Sequence, residues 1–214
     1  MRALAAVLAV FLALPLAASC VKLERQPIEK RFYALEIARP EAALPGVDAG
    51  QKPAPLSAAT LMVRRLGVSP RVAGRELVYR TAPSAWTADY YNVFFVPPAD
   101  MLSQDLRAWL QSAALFANVV DPGSLAVADY ILEGNVVNLH ADFAAKPAQA
   151  VAELQFLVLK SGGDDRQVLL TREYRRTAPL AASTPQEVVR AEREAVSAIY
   201  SALEADLRTL LPRK

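Results

Sequence analysis

The sequence predicts an α+β fold in which two amphipathic helices pack on one face of a mainly antiparallel sheet. Short segments rich in β-branched and aromatic residues recur along the chain, about seven or eight in number, and Pro or Gly bounds them. Two longer segments instead carry apolar residues at helical spacing. Packing both helical stripes against one side of the sheet is the simplest way to bury them. With 214 residues, of which 53% are hydrophobic, the chain can form one domain with a sizeable core.

The first residues have the three-part form of a secretory signal. Arg2 supplies a positive start, and residues 3–18 form an uncharged apolar run. That run is shorter than the roughly 20 residues that a membrane-spanning helix needs. It leads into Leu16-Ala17-Ala18-Ser19-Cys20, which resembles a bacterial lipobox, although Ala17 stands where such motifs usually have Leu.

Cys20 is the predicted site of lipidation. It is the only Cys of the chain and stands where a lipobox requires one; an ordinary signal peptide that happens to contain a Cys is the alternative. We therefore expect a lipoprotein signal peptide at residues 1–19, a tether at 20–30 and a single domain at 31–214. Val21 stands where an inner-membrane retention signal would often place Asp, which favours anchoring in the outer membrane, facing the periplasm.

The strand predictions rest on composition and on the turn residues between them. A loop at residues 40–55 contains four prolines, which fix φ and remove backbone donors. Hairpin turns are expected around residues 70–74 and at residues 161–165. The predicted strands are residues 31–38, 60–68, 75–80, 89–96, 116–120, 129–139, 150–160 and 167–178.

Both helix predictions rest on a start signal followed by an apolar stripe. The pair Pro97-Pro98 starts a helix over residues 99–114, because Pro is tolerated in a first turn whose N–H groups are free anyway. The motif Thr184-Pro185-Gln186-Glu187 starts the closing helix, with Thr as the cap. The stripes consist of Leu102, Leu106, Trp109 and Ala113 in the first helix, and of Val196, Ile199, Leu203, Leu207 and Leu210 in the second.

Composition excludes several classes of chemistry. The formal net charge of +2 argues against a nucleic-acid partner. One Cys and one His exclude an intramolecular disulfide and a His/Cys zinc site, and Cys20 lies at the anchor rather than in a catalytic pair. The pair Asp164-Asp165 is typical of a hairpin turn rather than of a cation site, which needs further oxygen donors. We expect no metal and no cofactor.

The single His and a cluster of arginines each have a structural and a functional interpretation. His140, with Asp142 two residues later, lacks a recognisable nucleophile, so a packing or solvated histidine is favoured over a general base. We therefore predict no catalytic residue and no enzyme. The arginines at 172, 175 and 176 could meet anionic headgroups or an acidic partner, but a solvated strand face is favoured.

The densest aromatic group is Tyr90-Tyr91 with Phe94-Phe95, immediately before the first helix. Strand alternation places Tyr91 and Phe95 on one face and Tyr90 and Phe94 on the other. We expect one of these pairs to be exposed, and core packing for at least one.

The order of these features resembles the ABC-type transport auxiliary lipoprotein family, which includes the PqiC-like proteins. The resemblance covers nearly all of the chain after Cys20, although this chain has Phe94-Phe95 where relatives often have Trp. The matching segments are residues 32–35, 61–63, 77–80, 97–102, 106–110, 116–120 and 128–134, followed by the Ala-rich final helix.

The resemblance implies an accessory, membrane-anchored lipoprotein of an ABC transport system of the MCE type, which moves lipid. The implied partners are a periplasmic MCE-domain protein, an ABC permease and an ATPase, with a ring or other homo-oligomer of the chain itself as one arrangement. The chain would act as a docking or conduit component, anchored by acyl chains that include palmitate. The alternative is a scaffold or assembly lipoprotein of another outer-membrane complex.

Overall fold

The structure is a computed structural model that describes residues 29–40, 54–162 and 165–211. Within this part of the chain it confirms the predicted fold class, with two α-helices and a nine-stranded curled sheet. The signal peptide, Cys20 and most of the tether lie outside the described residues. So do most of the proline-rich loop and the tip of the hairpin at residues 161–165.

Each strand and helix is bounded as follows. The strands are β1 Arg31–Tyr33, β2 Ser57–Val63, β3 Gly67–Val68, β4 Glu76–Ala82, β5 Ala85–Phe94, β6 Phe116–Val120, β7 Tyr130–Asp142, β8 Gln149–Gly162 and β9 Asp165–Pro179. The helices are α1 Pro98–Ser112 and α2 Pro185–Leu210, with a short 3₁₀ helix at Pro70–Val72. Neither α-helix combines the length and hydropathy needed to span a bilayer.

Strand β7 is the centre of the sheet. Along one edge it pairs in parallel with three strands in succession, β2 at Tyr130, β3 at Asn135 and β4 at Ala141. Along its other edge it pairs antiparallel with β8 over nearly its whole length. Strand β8 then pairs antiparallel with β9, so the long ladders are antiparallel and the short ones mostly parallel.

The prediction of a hairpin around residues 70–74 is wrong. The predicted strand at residues 60–68 is two strands, β2 and β3, and β4 follows them along the same edge of β7 instead of pairing with them. Pro70 starts the 3₁₀ helix and Val72, its last residue, is buried, so the connection packs on the core. Pro lacks the N–H that a ladder would require here. The hairpin of this region joins β4 to β5.

The first strand is also shorter than predicted. β1 ends at Tyr33, although Leu35 and Ile37 beyond it are buried. Glu36 has φ 50°, in the left-handed region, and this turns the chain away from the sheet. The backbone N–H of Ile37 then donates to Asp105 of α1 at 3.1 Å, so this segment crosses the helix layer.

Both helices begin where the sequence predicts. Pro98 opens α1, and Thr184 caps α2 by accepting a hydrogen bond from the Glu187 N–H at 3.3 Å. The helices pack on each other through Trp109 and Tyr200, whose ring centroids are 5.6 Å apart. The apolar stripes of both helices join the strands in one hydrophobic core.

Glu204 of α2 links the two helices to the segment that follows β1. Its carboxylate accepts from Trp109 Nε1 at 2.9 Å and from two guanidinium nitrogens of Arg39 at 2.8 and 2.9 Å. Burial alone would raise the pKa of Glu204, but the hydrogen bonds and charge of Arg39 outweigh it and hold the pKa below its ordinary value. The group therefore stays ionised and paired.

Glu192 of α2, by contrast, forms no ion pair with any residue in the part of the chain that the structure describes. Its side chain is buried and its Oε2 finds no hydrogen-bond partner among the described residues. Burial raises the pKa of Glu192 to about 8. The carboxyl is thus protonated in the folded chain at neutral pH.

We predict that Glu192→Gln stabilises the protein at pH 8 by up to about 4 kcal/mol, the free energy that corresponds to the raised pKa of the carboxyl. The folded-state pKa lies above the unfolded value of 4.5, so the folded chain binds more protons and its stability falls as pH rises between these values. Urea unfolding between pH 6.5 and 8.5 measures this slope, which the variant should flatten. The control is Glu194→Gln, an exposed position of the same helix; an equal gain there would contradict the prediction.

Gly134 of β7 is predicted to tolerate no larger residue. A Cβ at this position would lie 2.7 Å from both Leu66 Cδ2 and Phe156 Cδ1, and both side chains are fully buried. We expect Gly134→Ala to destabilise the fold by about 1–3 kcal/mol through overpacking. Urea unfolding measures the change. In Gly123→Ala the Cβ would meet only a carboxylate oxygen of Asp121, so a loss as large there would contradict this account.

Candidate docking surface

Four exposed aromatic side chains lie together at one edge of the sheet. Phe32 is 54% exposed, Tyr90 66%, Tyr91 41% and Phe95 67%. We call these four residues the aromatic edge. Single exposed apolar residues are common on protein surfaces, but a contiguous group indicates a surface that binds something.

The two outermost strands position this group. β1 is the terminal strand of the sheet and pairs in parallel with β5, with Phe32 beside Val93. The Phe95 N–H donates to the Tyr33 carbonyl at 2.8 Å, which extends the pairing past the end of β5. The rings of Phe32 and Phe95 consequently meet edge to face, with centroids 6.3 Å apart.

Asp89 holds the backbone of β5 beneath the tyrosines. Its carboxylate accepts from the N–H groups of Tyr91 and Asn92 at 2.9 and 3.0 Å and from the Tyr79 hydroxyl at 2.9 Å. Burial would raise the pKa of Asp89, but the hydrogen bonds from Asn92 and its neighbours lower it overall. Tyr33 adds a hydrogen bond to Asn92 at 3.0 Å, so the edge is preformed.

The alternation prediction holds for three of the four aromatic residues of β5 and its end. Phe94 is buried, and Tyr91 and Phe95 form the exposed pair. Tyr90, which alternation places on the face of Phe94, is exposed as well because the β4–β5 register shifts between Ala88 and Val93, and this irregularity interrupts the alternation. The Lys30 ammonium lies 4.1 Å from the ring centroid of Tyr90. Phe32 was missed, since a predicted first strand does not reveal which strand it pairs with.

His140 lies in a packed environment rather than in a catalytic frame. It is buried, and its ring lies 4.7 Å from the ring of Trp86. Burial lowers the pKa of His140 to about 4, with Asp142 opposing and nearby arginines reinforcing the shift. The Asp142 carboxylate is held by Arg80 at 2.9 Å, not by the imidazole. These contacts match the packing interpretation of His140.

The arginines predicted as a basic cluster are engaged locally. Arg175 pairs with Glu153 at 3.0 Å, and Arg172 lies 3.6 Å from Asp206. Arg176 donates to the Arg175 carbonyl. This agrees with a solvated strand face.

Two features bear on ligand binding. Among the described residues, no three His, Cys, Asp or Glu side chains converge as metal ligands would. A cavity of about 470 Å³ lies over the middle of the β7–β8–β9 ladder, where polar side chains pair with one another, as Gln155 does with Glu173 at 2.7 Å. The lining mixes these polar groups with the apolar side chains of Phe156 and Leu157.

Comparisons with known proteins identify relatives of this chain. The family model described as the ABC-type transport auxiliary lipoprotein component matches residues 43–203. No curated protein matches the chain.

The fold is shared with solved structures of low sequence identity. Protein XCC0632 from Xanthomonas campestris, assigned to the family DUF330, is 18% identical with a TM-score of 0.65, covering 73% of this chain and 87% of its own. A crystal structure of an uncharacterized protein is also 18% identical, with a TM-score of 0.63, and the match covers 84% of this chain and 99% of that one.

We predict that the imidazole of His140 does not titrate between pH 8 and 5. Its proton resonances should shift with a midpoint near pH 4, because the buried ring disfavours the charged form. His140 is the only histidine, so proton NMR assigns the signals without ambiguity. Trp86→Ala should move the midpoint toward 6.5 by admitting water to the ring. A native midpoint near 6.5 would contradict the packing described here.

Proposed function

This chain belongs to the ABC-type transport auxiliary lipoprotein family, and we propose that it is the membrane-anchored, periplasm-facing accessory lipoprotein of an MCE-type lipid transport system. The observation that carries the proposal is the family match over residues 43–203, which includes both helices up to residue 203 and most of the sheet. The family is an auxiliary transport component and not an enzyme family.

The proposed anchor is Cys20, at the end of a signal peptide comprising residues 1–19 and followed by a tether at residues 20–30. Each buried CH₂ of an acyl chain contributes about 0.8 kcal/mol to membrane binding, so several chains, palmitate among them, hold the protein stably. Val21 favours the outer membrane over the inner one. The domain at residues 31–214 then faces the periplasm.

The proposed partners are a periplasmic MCE-domain protein, an ABC permease and an ATPase. The sequence contains no P-loop, which is consistent with ATP hydrolysis in another subunit. A homo-oligomer of the chain is compatible with the same assembly.

Docking is favoured over carrying lipid inside the domain. The aromatic edge is a preformed exposed surface of the kind that binding interactions use. The cavity over the β7–β8–β9 ladder is open to solvent and has charged side chains in its lining, among them Arg172 and Glu173, so it is not an enclosed apolar tunnel. The chain therefore acts by positioning other components.

A crosslinked pull-down of the full lipidated chain from native membranes tests this function. We expect mass spectrometry to identify an MCE-domain protein together with its permease. Cys20→Ala should remove the chain from the membrane fraction and reduce partner recovery several-fold. Ser19→Ala keeps a small residue before the Cys and is the matched control. Recovery of outer-membrane components without an MCE protein or permease would overturn the transport role and leave the scaffold alternative.

A further inference from the structure

We propose that the aromatic edge is seated in the headgroup region of the bilayer that holds the anchor, so that it sets the orientation of the domain on the membrane. This inference names the partner of the candidate docking surface and rests on the proposed lipid anchor at Cys20. The argument has three parts: position along the chain, side-chain chemistry and charge.

Phe32 of the aromatic edge is the first large exposed apolar side chain after the anchor among the described residues. Lys30 follows Cys20 by ten residues, which span at most about 35 Å when fully extended. Lys30 and Phe32 already belong to the edge and its surroundings. The other large exposed apolar side chains of the described residues, apart from Val96 beside the edge, begin at Trp86. Anchoring at Cys20 therefore keeps this surface within reach of lipid at all times.

The side chains of the edge have the composition of a membrane interface. The apolar centre is the contacting pair Phe32 and Phe95, which together present two rings more than half exposed. Tyr90 and Tyr91 stand beside it with ring centroids 5.1 Å apart, and each carries a hydroxyl that can remain in the headgroup layer. The Lys30 ammonium lies over the ring of Tyr90, 4.1 Å from its centroid, which adds a cation beside the tyrosines, as is typical of a membrane interface.

Charge decides what kind of membrane contact this is. The strands that carry the edge, and the residues next to them, hold charges of both signs in equal number: Lys30, Arg31 and Arg75 against Glu29, Glu76 and Asp89. Net attraction to anionic lipid is therefore not the driving force. The driving force is the insertion of aromatic and apolar side chains into the interface. The contact should therefore form equally on zwitterionic and on anionic bilayers.

The end of the sheet opposite β1 supplies a reference position for the experiment. β1 and β6 stand at opposite ends of the strand order β1-β5-β4-β7-β2-β6. The loop after β6 carries Leu125, which is fully exposed. A probe at Leu125 should remain in water, which makes it the internal reference.

Nitroxide accessibility on the full lipidated chain tests the inference. Cys20 is the only Cys and its sulfur is acylated in the anchored protein, so Tyr91→Cys or Leu125→Cys accepts a spin label at one site. The labelled chain is reconstituted into vesicles of phosphatidylcholine alone and into vesicles with added phosphatidylglycerol. Relaxation by dissolved oxygen is compared with relaxation by a water-soluble nickel complex, and flotation of the vesicles measures anchoring separately.

We expect the oxygen-to-nickel ratio to be several-fold higher at position 91 than at position 125, in both kinds of vesicle. Adding Phe32→Ser and Phe95→Ser should bring the label at 91 into water while flotation is unchanged, whereas Val168→Ser on β9 should have no effect. Circular dichroism checks that the variants fold.

Three results would overturn the inference. If the label at 91 has the same oxygen-to-nickel ratio as the label at 125 on vesicles that float, the edge does not contact lipid, although the anchor is in place. Protection that arises only after partner proteins are added would assign the edge to a protein instead. Failure to float would remove the anchor at Cys20, and the inference would fall with it.

Discussion

Strand β7 imposes the constraint on which the rest of the structure depends. A strand has two edges, and β8 occupies one of them along nearly the whole of β7. The other edge is divided among β2, β3 and β4, so the chain between residues 57 and 82 has to be cut into short strands joined by tight connections. Gly134 lies within this crowded strand, where Leu66 and Phe156 leave no room for a side chain. β5 and β1 are then added outward from β4, which places the aromatic edge at the sheet's margin.

The helix layer determines which surfaces are left uncovered. α1 and α2 bury one face of the sheet, and Glu204 holds the segment after β1 across them through Arg39. Phe94 is therefore buried, whereas Phe95, one residue later, is exposed and contacts the ring of Phe32. The exposed aromatic margin of this helix-backed sheet is the surface that a member of the auxiliary transport lipoprotein family has available for binding.

Predictions agreed with the structure where they depended on interactions between residues close in sequence, and disagreed where they depended on contacts between distant residues. Local signals succeeded: Pro98 and the Thr184 cap start the helices, and the long alternating segments form β7, β8 and β9. Signals that depend on pairing failed, because a hairpin around residues 70–74 and three parallel strands on one edge have similar local composition. The exposed pair Tyr91 and Phe95 followed from alternation, whereas Tyr90 and Phe32 did not. The exposure of Tyr90 depends on an irregularity in the β4–β5 register, and that of Phe32 depends on the pairing of β1 with β5.

The sequence by itself determined the fold class, the helix starts and the family resemblance, because these rest on periodicity, caps and short motifs that neighbouring residues encode. The anchor at Cys20 stays a prediction from the same kind of local motif. Only the tertiary structure decided the strand order, the burial of His140 and Glu192 and the assembly of the aromatic edge. Each of these joins residues distant in the chain: Phe32 meets Phe95, and Trp86 covers His140. Such contacts depend on which strands pair, and a single sequence carries no local signal for that choice.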